Sequence, residues 1–124
     1  MTSKTIENLS AELTKAGFFD RLSSSVDDWD VILDKRDSAE FDDAWVESNE
    51  AVSKKNYLDQ SDEAEVNKLR EYAFKSVFRI TGNSEAAGYV SDDIGLIGEA
   101  VAKGEVAGWI KDLLESYRNG RFPC

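Results

Sequence analysis

The stretch from Ser61 to Thr81 is the sequence feature that most constrains the fold of this chain. Its apolar residues recur at steps of three and four, which is the spacing of one face of an α-helix. They are Val66, Leu69, Ala73, Val77 and Ile80, flanked by Tyr72, Phe74 and Phe78. An apolar arc this wide needs apolar neighbours on several sides. The stretch therefore predicts a central helix at about residues 61–81, surrounded by other helices.

The rest of the chain has helical periodicity as well, and no stretch of six residues alternates as a half-buried strand would. Further helices are predicted at Thr5 to Ala16, around Val26 to Leu33, at about Ser38 to Lys54, at Asp92 to Lys103, and at Glu105 to about Arg118. We predict an all-α fold in which residues 1–124 form a single domain, a bundle of five or six helices around the central helix.

The segment Gly82 to Gly88 is rich in small and polar residues and is predicted to be a loop or a single turn. Ser91 is then predicted to cap the following helix, which would place Asp92 and Asp93 in its first turn, where the helix dipole favours acids. That helix carries Gly95 and Gly98 among large apolar residues. Two glycines in such a setting predict close contact with a neighbouring helix.

Composition fits a water-soluble globular protein, with 41% apolar and 32% charged residues in 124. No apolar run approaches the ~18 residues of a membrane span. The first residues lead into an amphipathic segment without a signal-peptide core, which predicts a cytoplasmic protein. The only cysteine, Cys124, forms no internal disulfide, in keeping with a reducing compartment.

Two absences narrow the chemistry of the chain. It contains no histidine, so the commonest general base and metal ligand is missing, and its one thiol stands at the chain end. Asp28, Asp30 and Asp34 resemble the start of a calcium loop, but the glycine and final glutamate of that motif are missing. We therefore predict no catalytic residues, no metal site and no cofactor.

The net charge of −10 is unevenly distributed along the chain. Between residues 27 and 50 there are ten acids and only two bases, Lys35 and Arg36, so this segment carries −8 of the total. Such a charge argues against direct binding of nucleic acid or of an anionic membrane. It favours either solubility alone or a basic protein partner.

Several acids of this segment stand in like-charge pairs at helical spacing, including Asp43 with Glu47 and Asp30 with Asp34. Each pair costs about 0.2–0.5 kcal/mol, and a surface selected for stability alone would place lysines among them. One interpretation is a solvated surface, and the other is a field kept for a partner. On the second, the candidate partner-binding residues are Asp27, Asp30, Asp34, Glu40, Asp43, Glu47 and Glu50.

Trp29 stands inside this acidic segment and allows two interpretations. Interfaces often use an aromatic anchor, but Trp29 shares a helical face with Val26 and Leu33, which favours the core. The same reasoning predicts that Trp45 and Trp109 pack in the core.

The C-terminal third resembles a known class of protein. It reads Gly88-Tyr-Val-Ser-Asp-Asp-Ile-Gly-Leu-Ile97, then Trp109-Ile-Lys-Asp-Leu-Leu-Glu-Ser-Tyr117, then Gly120-Arg-Phe-Pro123. This is similar to the small acidic immunity proteins of bacterial polymorphic-toxin and contact-dependent growth inhibition systems. The resemblance implies a cytoplasmic inhibitor, not an enzyme, that binds the C-terminal toxin domain of its own system. Nuclease toxins are usually basic because they bind phosphate backbones.

Two other functions remain open from the sequence. An adaptor or regulatory protein would use the same acidic segment to bind another basic protein. An enzyme would have to rely on carboxylate chemistry, for which no particular pair of acids stands out. A toxin gene next to the gene for this chain would favour the immunity function over the adaptor.

Overall fold

The computed structural model describes residues 4–124, and this part of the chain forms seven helices and no strand. They are α1 (Lys4–Leu13), α2 (Phe18–Ser24), α3 (Trp29–Arg36), α4 (Ala39–Ser53), α5 (Ser61–Thr81), α6 (Ser84–Lys103) and α7 (Gly108–Arg118). The all-α prediction is confirmed. The count is seven rather than five or six, since Phe18–Ser24 is a separate helix. None of the described helices is long and apolar enough to cross a membrane.

The helices α5 and α6 form the centre of the bundle and pack closely against each other. The bounds of α5 are those predicted from its periodicity, and Gly82 ends it with a left-handed φ of 67°. A Cβ atom added to Gly98 of α6 would lie 3.2 Å from the Cγ1 atom of Val66 on α5. At Gly95 the side chain of Arg70 occupies the equivalent space. The close contact predicted from these two glycines is confirmed.

The beginning of α6 differs from the sequence prediction. The helix begins at Ser84, where Asn83 caps it by accepting the Ala86 N–H at 3.0 Å. The predicted loop at 82–88 and the predicted cap at Ser91 are therefore wrong. The small residues in this segment are there for packing, since Ala86 and Ala87 are fully buried.

The apolar arc of α5 is wider than the surface that its neighbours cover. Val66, Leu69, Ala73 and Val77 are buried, whereas Ile80 remains about 40% exposed at the end of the helix. The flanking aromatic residues Tyr72, Phe74 and Phe78 are also exposed in part. By contrast, α6 is buried along most of its length, so the two helices share the central position.

The residues after α7 return to the body of the protein and become buried. Phe122 packs edge-on against Trp29, with ring centroids 5.3 Å apart, and Pro123 is buried beside it. Trp109 makes a similar contact with Phe41 at 5.0 Å. Trp29 and Trp109 are half-buried and pack against the core, which agrees with the core interpretation of both residues.

Two glycines of α6 offer a test of the close packing between α5 and α6. Gly88→Ala is expected to raise the free energy of unfolding by about 0.5–1 kcal/mol, because alanine is the better helix residue and its Cβ would meet nothing within 4 Å. Gly98→Ala is expected to gain less, because its Cβ presses on Val66. Urea unfolding of both variants checks this, and an equal gain at the two positions would contradict the close packing.

Candidate protein-binding surface

The seven acidic residues predicted to bind a partner are all exposed. We call them the acidic face: Asp27, Asp30, Asp34, Glu40, Asp43, Glu47 and Glu50. None of their side chains forms a hydrogen bond or an ion pair within residues 4–124. Their charges are therefore left for solvent or for a partner.

Local capping and packing set the direction in which α4 presents its acids. Ser38 caps the helix by accepting the Phe41 N–H at 3.4 Å. Phe41 and Trp45 pack against the core and Val52 is buried, so the opposite side of the helix, with Asp43 and Glu47, faces solvent. The helical periodicity of α4 predicts this division, because Phe41, Trp45 and Val52 recur at steps of four and seven.

The α3 part of the acidic face differs from a continuous helical stripe. Asp28 caps α3 by accepting the N–H groups of Asp30 at 3.0 Å and Val31 at 3.4 Å. Asp27 therefore lies just before the helix, and only Asp30 and Asp34 stand on α3 itself.

The middle and the C-terminal end of α4 are held on α6 by hydrogen bonds. In the middle of α4, the indole N–H of Trp45 donates to Asp93 at 2.9 Å. At the C-terminal end, Lys103 is buried and donates to the carbonyl oxygen of Val52 at 3.0 Å. Lys103 also pairs with Glu99 at 2.6 Å. These contacts fix the orientation in which α4 presents its exposed acids.

Arg36, one of the two bases of the acidic segment, is not on the surface. Its side chain is 3% exposed and forms an ion pair with the fully buried carboxylate of Asp93 on α6. All ten acids of residues 27–50 are exposed, and Lys35 is the one exposed base among them. The exposed side chains of this segment therefore carry a more negative net charge than the −8 counted from the sequence.

Asp93 is the centre of a buried polar cluster that the sequence did not predict. Its Oδ1 atom accepts hydrogen bonds from Arg36 and Trp45, and its Oδ2 atom accepts one from the Tyr117 hydroxyl at 2.5 Å. Arg36 also donates to the carbonyl oxygen of Pro123 at 3.3 Å. The cluster thus joins α3, α4, α6, α7 and the C-terminal residues. The predicted position of Asp93 in an exposed first turn is wrong, because α6 begins two turns earlier.

Three aromatic rings surround the guanidinium group of Arg36. Its Cζ atom lies 4.4 Å from the ring centroid of Phe41, 5.1 Å from that of Tyr89 and 5.3 Å from that of Phe122. Cations are attracted to ring faces at such distances. The rings and Asp93 together compensate for removing this charge from water.

The environment of the cluster changes the pKa values of its acidic groups. Burial raises the pKa of Asp93 above its ordinary value, while the Arg36 guanidinium acts in the opposite direction. Burial and the nearby Asp93 carboxylate raise the pKa of Tyr117 well above its ordinary value. The hydroxyl of Tyr89 donates to Asp37 at 2.5 Å, and this hydrogen bond raises its pKa to about 12.

These shifts predict that the protein loses stability in alkaline solution. Unfolded tyrosines lose their protons near pH 10. In the folded state, burial raises the pKa of Tyr57 to about 12. The pKa values of Tyr89 and Tyr117 are also raised in the folded state. The unfolded state then binds fewer protons, so the free energy of unfolding falls as pH rises from 10 towards 12.

Urea unfolding at pH 8, 10 and 11 measures this loss of stability. Tyr57→Phe should make the decline between pH 10 and pH 11 less steep, which separates the contribution of this tyrosine from those of Tyr89 and Tyr117. An identical decline in the wild type and in Tyr57→Phe would contradict the role assigned to Tyr57.

Two grooves lie on either side of Trp45, between α4 and the central helices. The larger, of about 360 Å³, is lined by Trp45, Asn49, Tyr57, Glu63, Val66, Asn67, Arg70, Asp92, Gly95, Leu96 and Glu99. The smaller, of about 230 Å³, is lined by Arg36, Asp37, Phe41, Asp42, Trp45, Val46, Tyr89 and Asp92. No residue of the acidic face lines either groove.

The chemistry of the two grooves follows from the side chains that line them. Within residues 4–124, no three acidic or cysteine side chains come together as the ligands of a metal ion would. The grooves contain carboxylates, amides and aromatic rings. These groups suit the recognition of polar and cationic side chains.

Comparison with known proteins identifies the class of this molecule. The family model of immunity protein PIM1 matches residues 8–124. A search of curated proteins found no match. Because the family match extends over nearly the whole length, the chain belongs to the immunity protein PIM1 family.

Proposed function

We propose that this immunity protein neutralises a basic toxin domain of the nuclease type by binding it through the acidic face. The immunity function follows from the family. The observation that carries the proposal is the exposed charge of residues 27–50, with ten carboxylates and a single exposed base, Lys35.

The charge of the acidic face suits a nuclease as its target. A nuclease binds the phosphate backbone of its substrate with lysine and arginine side chains. An acidic helical surface is complementary to the same residues and would compete with the substrate for them. Complementary charge also accelerates the encounter of two proteins, which suits an inhibitor that must bind before the toxin acts.

The proposal places neutralisation in the cytoplasm, where a nuclease meets its nucleic acid substrate. It also places the toxin in the same polymorphic-toxin or contact-dependent growth inhibition system, as the resemblance of the C-terminal third implies. Inhibition is stoichiometric on this proposal, because the immunity protein acts by occupying a surface of the toxin and not by turnover.

The test uses the toxin domain encoded beside the gene for this chain. Its cleavage of RNA and of DNA is measured while the immunity protein is added in steps. We expect complete inhibition at one equivalent in 0.1 M salt, and slower association in 1 M salt, where the Debye length shrinks from about 10 Å to about 3 Å.

Undiminished cleavage in excess immunity protein would reject the proposal. Binding to an unrelated basic protein, without any inhibition of the toxin, would favour the adaptor function instead. Inhibition of a toxin that cleaves neither nucleic acid would retain the immunity function and reject the nuclease.

A further inference from the structure

The smaller groove, of about 230 Å³ beside Val46, combines two kinds of wall. Its inner wall is aromatic, formed by Phe41, Trp45 and Tyr89. Val46 completes this wall and is 42% exposed, which makes it one of the few large apolar side chains that α4 presents to solvent. Exposed apolar area beside a charged surface is typical of the part of an interface that becomes buried.

The rim of this groove is formed by three carboxylates from three elements. Asp37 follows α3 and accepts the Tyr89 hydroxyl, and Asp92 of α6 forms an exposed ion pair with Arg70 at 3.1 Å. The Asp42 side chain of α4 makes no hydrogen bond or ion pair within residues 4–124. A charged acceptor is therefore still available at the edge of an aromatic wall.

The size of the groove limits what it can hold. A volume of about 230 Å³ is large enough to receive one long side chain.

We propose that this groove receives one arginine or lysine side chain of the toxin, and the proposal rests on the function proposed above. The aliphatic stem would lie against Val46 and the aromatic wall, and the cationic head would reach Asp42 at the rim. Arg36, which also lines the groove, already stacks on Phe41 and Tyr89, with its charge balanced by Asp93. The same walls thus accommodate a guanidinium group in this protein.

This assignment gives the two acidic surfaces different roles in binding. The acidic face would attract the toxin over a distance and so raise the association rate. A side chain enclosed in the groove would be removed from water, and losing its contacts would mainly raise the dissociation rate.

A probe that does not depend on the identity of the toxin tests the groove directly. N-acetylarginine amide is titrated into isotopically labelled protein, and the Val46 methyl and Trp45 indole signals are followed by NMR. N-acetylcitrulline amide, which has nearly the same shape without the charge, is the matched ligand. We expect saturable shifts with the arginine probe and at least about tenfold weaker binding of the citrulline probe, which corresponds to about 1.4 kcal/mol.

Two variants that remove the same charge complete the test. Asp42→Asn should weaken binding of the arginine probe at least fivefold. Glu85→Gln is the control: Glu85 is exposed on α6 and close enough to influence Tyr89, but it does not line the groove. It should leave the affinity within twofold. Equal losses in both variants, equal binding of the two probes, or no saturable shift would each overturn the groove assignment.

The toxin domain gives a second measurement that separates this inference from the proposed function. Asp42→Asn should raise the dissociation rate of the complex at least tenfold, with a much smaller change in the association rate. A toxin that is bound and inhibited, with a dissociation rate that Asp42→Asn leaves unchanged, would overturn the groove and leave the proposed function standing. If the wild-type protein fails to inhibit the toxin, the proposed function fails, while the probe titration still decides whether the groove accepts a cationic side chain.

Discussion

Replacing Asp93 with alanine is expected to lower the free energy of unfolding by about 3–5 kcal/mol, because it breaks a buried ion pair and leaves one charge unpaired. The Arg36 side chain is 3% exposed and has Asp93 as its one ion-pair partner within residues 4–124. The hydroxyl of Tyr117 and the indole N–H of Trp45 would lose their acceptor as well.

The neighbouring residue provides a matched control for this prediction. Asp92→Ala removes the same side chain one position earlier on α6, but the ion pair of Asp92 with Arg70 is 55% and 44% exposed, respectively. Exposed pairs contribute about 0–1 kcal/mol. Urea unfolding of both variants gives the comparison, and a similar loss at the two positions would show that the Asp93 cluster does not stabilise the fold as described.

A double variant separates the ion pair from the packing around it. Arg36→Met removes the guanidinium group that stacks on Phe41 and Phe122 and keeps an unbranched aliphatic side chain at this position. In the Arg36→Met/Asp93→Ala protein neither charge remains buried alone. Its loss of stability is therefore expected to be clearly smaller than the sum of the two single losses. Additive losses would mean that the two side chains act independently.

The Asp93 cluster also connects the stability of the fold with the position of the acidic face. α3 is held to the rest of the protein by the burial of Leu33, by Arg36, and by the packing of Trp29 on Phe122. Arg36 also bonds the C-terminal residues through the Pro123 carbonyl. Loss of the cluster would therefore release α3, with Asp30 and Asp34, from its fixed orientation relative to α4.

Helix bounds were predicted best from the sequence where a helix is amphipathic and has a clear capping residue at one end. α5 has its predicted bounds because its apolar period is unbroken and Gly82 ends it in the left-handed region. α4 lies within one residue of its predicted bounds, with Ser38 as the cap. In both cases the information is local, since it lies within the helix and the residues next to it.

The Asp93 cluster could not be predicted in the same way because its partners are far apart in the sequence. Arg36 and Asp93 are separated by 57 positions, and Arg36 stands in an acidic run where an exposed base is the ordinary expectation. Predicting the start of α6 too late, at Asp92 instead of Ser84, also hid a usable signal. With α6 begun at Ser84, Asp93 falls on the same side as the buried residues Val90 and Ile97, where an unpaired carboxylate would be costly.

The acidic face could also be predicted from local sequence, whereas the groove could not, because the groove depends on how two helices pack. The exposure of Asp43, Glu47 and Glu50 could be predicted from the helical period of α4 alone, and the structure has all three exposed. The groove depends on the distance between α4 and α6, and it brings Asp42 near Asp92 across fifty positions of the chain. Periodicity places each residue on its own helix but gives no information about which helix lies opposite.

Replacing Asp43, Glu47 and Glu50 together with lysine is expected to lower the affinity for the cognate toxin domain at least 100-fold. The association rate should fall from a steered value towards the ~10⁵–10⁶ M⁻¹s⁻¹ of unsteered protein pairs. In the wild type this rate should fall as salt is added, whereas in the variant the salt dependence should be weak or reversed. Stopped-flow binding at several salt concentrations measures both effects.

A second triple variant controls for total charge. Replacing Glu7, Glu105 and Asp112 with lysine changes the net charge by the same amount, at exposed positions outside the acidic face. This protein should retain most of the wild-type association rate, because the acidic face keeps all seven of its own charges. An equal loss of affinity in the two triple variants would show that overall charge, and not the acidic face, governs binding.

The stability of the first triple variant decides how a loss of binding is interpreted. The three replaced side chains make no ion pair or hydrogen bond within residues 4–124. Lysine at position 43 also gains an attractive neighbour in Glu40, while the lysines at 43, 47 and 50 repel one another. These terms are each about 0.2–0.5 kcal/mol and of opposite sign, so the unfolding midpoint should stay nearly unchanged. If affinity is lost in a protein of wild-type stability, the toxin is recognised by the acidic face. If affinity stays at the wild-type value, these acids are a solvated surface and the toxin binds elsewhere.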